Sequence, residues 1–188
     1  LEEAQVLAAK YGERGGCYLG GERNRLRPPG FDFGNSPREY LQLPEAKPIV
    51  FTTTNGTRAL QRVASSKQIL IASMANGSAV AERLLASASD VLLVCSGTLG
   101  KIAAEDVLCA GLIIAEVEKR APVVQLTDGA RIALASYRQA ACNLEQFFLQ
   151  TTSGQGLSQL GLKEDVLHAA RSNYSSLVPS YADGYISV

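Results

Sequence analysis

Only one histidine, His168, occurs in the 188 residues of this chain. A metal cage built on imidazoles is therefore excluded, and a Ser-His-Asp triad would rest wholly on that residue. It lies in the helical stretch Val166-Leu-His-Ala-Ala170 and reads as packed or solvated. Cysteines are few: Cys17, Cys95, Cys109 and Cys142, with no pair at Cys-x-x-Cys spacing. Three of them sit in apolar sequence, so they read as reduced thiols, not as a disulfide framework. Neither charge is in excess, 18 basic residues facing 18 acidic ones, which argues against a general attraction to nucleic acid or anionic membrane. No apolar run approaches the roughly 20 residues of a membrane span, and no charged-then-apolar leader opens the chain. A phosphate-binding P-loop is missing too, because Gly100-Lys101 is followed by Ile102 with no glycine at the upstream spacing. The resulting expectation is a cytoplasmic protein without nucleic-acid or membrane partners.

Apolar residues, 46% of the chain, suffice for a core. Helical spacing runs from Leu1 to Tyr11 and ends at Gly12 with Gly15-Gly16. A short strand, Cys17 to Leu19, runs into Gly20-Gly21-Glu22-Arg23-Asn24. Ser36, Pro37 and Glu39 predict an N-cap, a first helical position and a capping box. Ile49 to Thr53 is a continuous apolar strand, Gln68 to Ala72 another, and Asp90 to Cys95 the most strand-like run of all. Helices are predicted over 57–64, after an Asn76 cap, over 104–119, over 128–150 with a break near Asn143, over 153–160 and over 164–171. The tail from Leu177 adds edge strands. Alternating strands and helices predict one α/β domain over 1–188, a three-layer α/β/α arrangement on a largely parallel sheet. Within it, 1–121 and the helix-rich 122–188 are candidate halves.

The stretch from Phe51 to Leu60, Phe-Thr-Thr-Thr-Asn-Gly-Thr-Arg-Ala-Leu, is the most informative. A strand ending in a loop before a helix leaves unpaired N–H groups at the helix's positive end, and Gly56 permits close approach. Thr52, Thr53, Thr54, Asn55 and Thr57 add donors, and Arg58 adds a fork-shaped cation. The strand ends at Leu19, Thr53 and Cys95 repeat the pattern of strand, Gly-containing polar loop and helix, and such loops share one sheet edge in parallel α/β proteins. Four carboxylates fall at these loops: Glu22, Asp32, Glu105 and Asp106. Hard oxygen donors with few nitrogens suit Mg²⁺, which takes one or two carboxylates plus a substrate phosphate. Alternatively, Glu105 and Asp106 complement a helix dipole, Glu22 is a solvated loop charge and Asp32 a turn residue. Cys95-Ser-Gly-Thr-Leu-Gly-Lys101 superficially matches a cysteine-phosphatase loop, but Lys101 stands where such loops need a guanidinium.

Leu19-Gly-Gly-Glu-Arg-Asn24, Gly30-Phe-Asp-Phe-Gly-Asn-Ser-Pro37, Thr52-Thr-Thr-Asn-Gly-Thr57, Cys95-Ser-Gly-Thr98 and Glu105-Asp106, in this order, resemble the 2-phosphosulfolactate phosphatase family. The resemblance implies a fold particular to that family and a Mg²⁺-dependent acid phosphatase. The reaction implied is conversion of 2-phospho-3-sulfolactate to 3-sulfolactate and phosphate, on the way to coenzyme M. With a small polyanion as substrate, Arg23, Thr53, Thr54, Asn55, Gly56, Thr57, Arg58, Ser96, Gly97, Thr98 and Lys101 are the expected binding residues. Glu22, Asp32, Asn55 and Asp106 are the catalytic candidates, with Glu22 or Asp32 as base for direct water attack. Glu22, Asp32, Glu105 and Asp106 are the metal candidates, and a homo-oligomer is compatible with the resemblance. Two departures stand out. The strand unit that opens family members is expected to be missing here, and Gln155 and Asn173 replace the family's usual His and Asp. The competing readings are a phosphatase for another small phosphorylated acid and a non-catalytic anion-binding relative.

Overall fold

A computed structural model describes residues 1–12, 16–87, 89–121 and 123–188. It is α/β, with helices over about half the chain and a small parallel sheet. The chain divides into two compact units, Leu1–Arg58 and Ala59–Val188.

The first unit opens with α1 (Glu2–Gly12), closed by a bond from the Gly16 N–H to the Tyr11 carbonyl at 3.0 Å. Gly15, expected to share in that stop, lies outside the described residues. Strand β1 (Tyr18–Gly21) pairs in parallel with β2 (Ile49–Thr52), with Tyr18 opposite Ile49 and Gly21 opposite Thr52. Alternation along the two strands decides the faces. Leu19 and Val50 join Ala4, Ala8, Tyr11 and Phe31 in the core. On the other face Tyr18, Phe33, Tyr40 and Phe51 form an aromatic row with successive ring centroids 5.2, 5.4 and 6.0 Å apart. Helix α2 (Pro37–Tyr40) is a single turn. Its expected capping box does not form: Ser36 makes no side-chain cap bond, and Glu39 instead accepts the Gly34 N–H at 2.7 Å. Helix α3 (Gly56–Val63) follows β2.

The second unit is built on α5 (Ala104–Arg120), whose Leu108, Leu112, Ile113 and Ile114 are buried. Gly111 allows α6 (Asp128–Ala140) to pack close, since a Cβ there would collide with the Ala133 carbonyl. Truncating Leu112 to Ala should destabilise the fold by about 2–5 kcal/mol. Helix α4 (Gly77–Ser87) contributes Val80 and Ala81 to the core on α5. Helices α7 (Leu144–Gln150), α8 (Thr152–Gln159) and α9 (Lys163–Ala169) contribute Phe148, Leu157 and Val166. The break expected near Asn143 is a 3-10 turn, Ala141–Asn143, between α6 and α7. The tail forms an antiparallel hairpin, β3 (Ser180–Ala182) and β4 (Tyr185–Ser187), turned by Asp183-Gly184 with both φ angles positive.

Three expectations are corrected. Asn76 does not cap α4; it lies in the 3-10 turn Met74–Asn76 and completes a capping box with Ser73. The first turn of α4 is instead met by Asn173, whose Oδ1 accepts the Ser78 N–H at 2.8 Å while its Nδ2 donates to Glu116 at 3.1 Å. Gln68 to Ala72 carries a single bridge, Leu70 to Ser180, where a strand was predicted. Asp90 to Cys95 joins no ladder among the described residues, and Val91, Leu92 and Val94 are exposed. The reason is general: β-branched apolar runs favour extended backbone, but a strand also needs an edge to pair with. The wide parallel sheet is thus represented by the β1–β2 pair. Among the described residues no helix is long and apolar enough to cross a membrane.

Candidate functional site

In the first unit the expected site residues gather where β1 and β2 end. Gly21 has a φ of 139°, and a Cβ there would strike the Thr52 carbonyl, so only glycine permits this closure. The Glu22 N–H continues the ladder by donating to the Thr52 carbonyl at 3.1 Å. Arg23 to Leu26 then turn tightly, with reciprocal backbone bonds of 2.9 and 3.1 Å. Asn24 and Arg25 both take positive φ, 54° and 66°, the mirror-image turn usually given to Asn-Gly. Arg23 reaches back, Nη1 donating to the Glu22 carbonyl at 2.7 Å and Nη2 to the Thr52 hydroxyl at 3.0 Å.

Glu22 holds this corner. Its Oε1 accepts the Thr54 N–H at 2.7 Å and its Oε2 the Arg25 N–H at 3.1 Å. Partial burial alone would raise its pKa, but these N–H bonds, the Thr54 hydroxyl and the Arg23 charge together hold it below the usual carboxylate range. Beyond it, Thr53 caps α3: its hydroxyl accepts the Thr57 N–H at 3.2 Å, and the Thr57 hydroxyl donates to the Thr53 carbonyl at 2.8 Å. Asn55, Gly56 and Thr57 are half-buried at the helix start, and Arg58 is exposed. Asp32 is exposed and placed along β1, its Oδ2 accepting the Leu19 N–H at 2.8 Å.

In the second unit the Cys95 to Lys101 stretch is a tight turn. Thr98 and Lys101 exchange backbone bonds of 3.0 Å, with Leu99 and Gly100 between them at φ 52° and 77°. Asp106, in the first turn of α5, accepts the Gly97 N–H at 2.7 Å. Burial raises its pKa above the usual range; the Gly97 and Ser96 N–H groups oppose that shift, and the adjacent Glu105 charge adds to it. Ser96, Gly97 and Asp106 therefore come together, and Lys101 closes the turn with its backbone. The backbone N–H groups of Gly97, Thr98 and Lys101 are already used, so they form no cradle around Cys95. Its thiol is pushed up by the protein about it and then by Asp106, and the Cys109 thiol is pushed up to about 12, first by burial. Neither suits thiolate attack.

Glu105 and Asp106 fit a Mg²⁺ ion by donor type: they are hard oxygen donors consecutive in the first turn of α5, and Asp106 is partly desolvated with the Glu105 charge acting on it. Among the described residues no group of three or more His, Cys, Asp or Glu side chains could hold a metal ion. Any fit is thus to an ion that takes one or two carboxylates and draws the rest of its shell from elsewhere, as Mg²⁺ does. Sequence reasoning missed the Arg25 N–H as a partner of Glu22, because Asn24-Arg25 has no glycine to announce its turn. It also missed Asn173 as the clamp on α4, 95 residues away in sequence from Ser78.

Comparison with known proteins gives these loops a context. Residues 1–184 match the profile of the family described as 2-phosphosulpholactate phosphatase. The chain belongs to this family. A probable 2-phosphosulfolactate phosphatase of Clostridium acetobutylicum is 37% identical over 187 residues, 99% of this chain and 78% of that protein. One from Clostridium perfringens is 39% identical over 89% of this chain and 68% of its own length. Another, from Clostridium beijerinckii, is 34% identical over the whole chain and 78% of its own length.

Proposed function

We propose that the protein hydrolyses 2-phospho-3-sulfolactate to 3-sulfolactate and phosphate in the presence of Mg²⁺. The observation that carries this reading is the corner at the ends of β1 and β2. There Gly56 at the start of α3 and the exposed Arg58 guanidinium stand on a turn fixed by Glu22 and Arg23. Such a corner supplies oriented donors without reorganisation, which is most of what phosphoryl transfer requires of a protein. Asn55, Gly56 and Arg58 would bind the phosphate, with Thr54 held by Glu22 and with Thr53 and Thr57 holding the helix start. In the second unit, Glu105 and Asp106 would hold Mg²⁺, with Ser96, Gly97, Thr98 and Lys101 shaping the turn that fixes Asp106. Mg²⁺ bound there would supply Lewis-acid positive charge.

The reaction is direct attack by water. The water oxygen bonds to phosphorus as the bond from phosphorus to the C2 oxygen breaks with its electron pair. Asp32 would take the proton that water loses, its orientation set by the Leu19 N–H. The leaving alkoxide takes a proton from solvent water to become the hydroxyl of sulfolactate, and Asp32 gives up its proton to solvent before the next turnover. The test is phosphate release from phosphosulfolactate and a panel of phosphorylated hydroxy acids, with Mg²⁺ and after EDTA. Metal-dependent turnover led by phosphosulfolactate is expected. A different acid in the lead would reassign the substrate, and trapping a phosphorylated side chain would overturn direct water attack.

A further inference from the structure

We infer that Glu22 is a positioning residue: its carboxylate ties the turn after β1 to the phosphate-binding turn after β2, and it acts on substrate only through the Thr54 to Arg58 backbone. The inference rests on the phosphatase reading above and removes Glu22 from the roles of base and metal ligand. Three observations carry it. Each carboxylate oxygen already accepts a backbone N–H, and the two donors, Thr54 and Arg25, belong to different turns at 2.7 and 3.1 Å. Arg23 ties the same two turns a second time, through the Glu22 carbonyl and the Thr52 hydroxyl. Arg25 is held at a φ of 66°, a conformation that non-glycine residues keep only when surroundings impose it. With each oxygen tied to an N–H of a different turn, the carboxylate is fixed in place by the main chain it joins.

The arrangement makes glutamine a poor substitute despite its shape. Its amide offers one acceptor, and its NH₂ group would oppose the second N–H donor, so one tether is lost. In Glu22→Gln the KM for phosphosulfolactate and the dissociation constant for inorganic phosphate should each rise roughly tenfold, with kcat changed less than about threefold. By NMR, hydrogen exchange at the Thr54 and Arg25 amides should accelerate, while amides in α5 keep their protection. Thr52→Val, which removes only the Arg23 acceptor, should shift KM and phosphate affinity in the same direction by less and keeps the test open if Glu22→Gln folds poorly. The inference is overturned if Glu22→Gln or Thr52→Val lowers kcat with KM unchanged, or if phosphate affinity and both amides behave as in the parent protein. Failure of turnover on every phosphorylated acid, with phosphate binding and amide protection still falling together, would instead count against the phosphatase reading alone.

Discussion

Glu22 and Asp106 both brace a tight turn of positive φ by accepting backbone N–H groups, yet their ionisation is pushed in opposite directions. Glu22 meets N–H donors from two turns, a hydroxyl and a neighbouring guanidinium, and its pKa falls despite partial burial. Asp106 meets N–H groups from Gly97 and Ser96, but burial and the charge of Glu105 outweigh them, and its pKa rises. The contrast teaches how to assign roles among carboxylates that look alike in sequence. One whose charge is already satisfied by the main chain holds structure. One left desolvated beside a like charge is the one that a nearby cation would stabilise.

The comparison can be broken by experiment. The largest effect is expected from Asp106→Asn, which should lower kcat/KM by about 100-fold and weaken Mg²⁺ activation, as loss of several kcal/mol of charge stabilisation would. Steady-state kinetics across a Mg²⁺ titration would measure it. Next comes Gly21→Ala, which places a methyl against the Thr52 carbonyl and should destabilise the protein by about 1–3 kcal/mol in urea unfolding. Gly97→Ala, at a φ of 68° in the other turn, should act in the same direction and by no more.

The stability effects of the two carboxylates should differ in sign. A carboxylate whose folded pKa is depressed contributes stability that is present above its unfolded value, about 4.3 for Glu, and is lost as pH falls through the folded pKa. That is Glu22. A carboxylate whose folded pKa is raised opposes folding once both states are ionised, so its penalty grows as pH rises from about 4 through the folded pKa. That is Asp106. At neutral pH Glu22→Gln should therefore lower the melting temperature, whereas Asp106→Asn should raise it, each by the equivalent of up to about 1 kcal/mol. Thermal melts at pH 7 and pH 4 in metal-free buffer would show both, with the gap between variants narrowing in acid. The smallest effect is expected at Cys95: with a raised thiol pKa and no N–H cradle, Cys95→Ser should keep kcat/KM within about twofold.

Local features were legible in the sequence because they are encoded locally. Helical spacing marked α1, α5 and α8 to within a residue or two, and Gly20-Gly21 and Asn55-Gly56 marked the turns where polar residues gather. Asp183-Gly184 closes the tail hairpin by the same turn chemistry. What depended on partners was less legible. Asp90 to Cys95 has strand composition but joins no ladder among the described residues, since an apolar run specifies extended backbone and not its neighbour. The cap of α4 comes from Asn173 and not from adjacent Asn76, and no local pattern predicts a clamp from so far along the chain. The candidate site residues fall on polar turns, as their sequence suggests, but composition could not separate Glu22 from Asp106. That distinction lies in how burial, neighbouring charge and N–H bonds balance at each carboxylate.

The most direct test of this distinction is a Mg²⁺ binding isotherm, measured by calorimetry on the parent protein, Glu22→Gln and Asp106→Asn under one set of conditions. If Glu22 positions and Asp106 holds the ion, Glu22→Gln will bind Mg²⁺ as the parent does and Asp106→Asn will bind it at least about tenfold more weakly. Loss of Mg²⁺ affinity in Glu22→Gln with full affinity in Asp106→Asn would contradict the account.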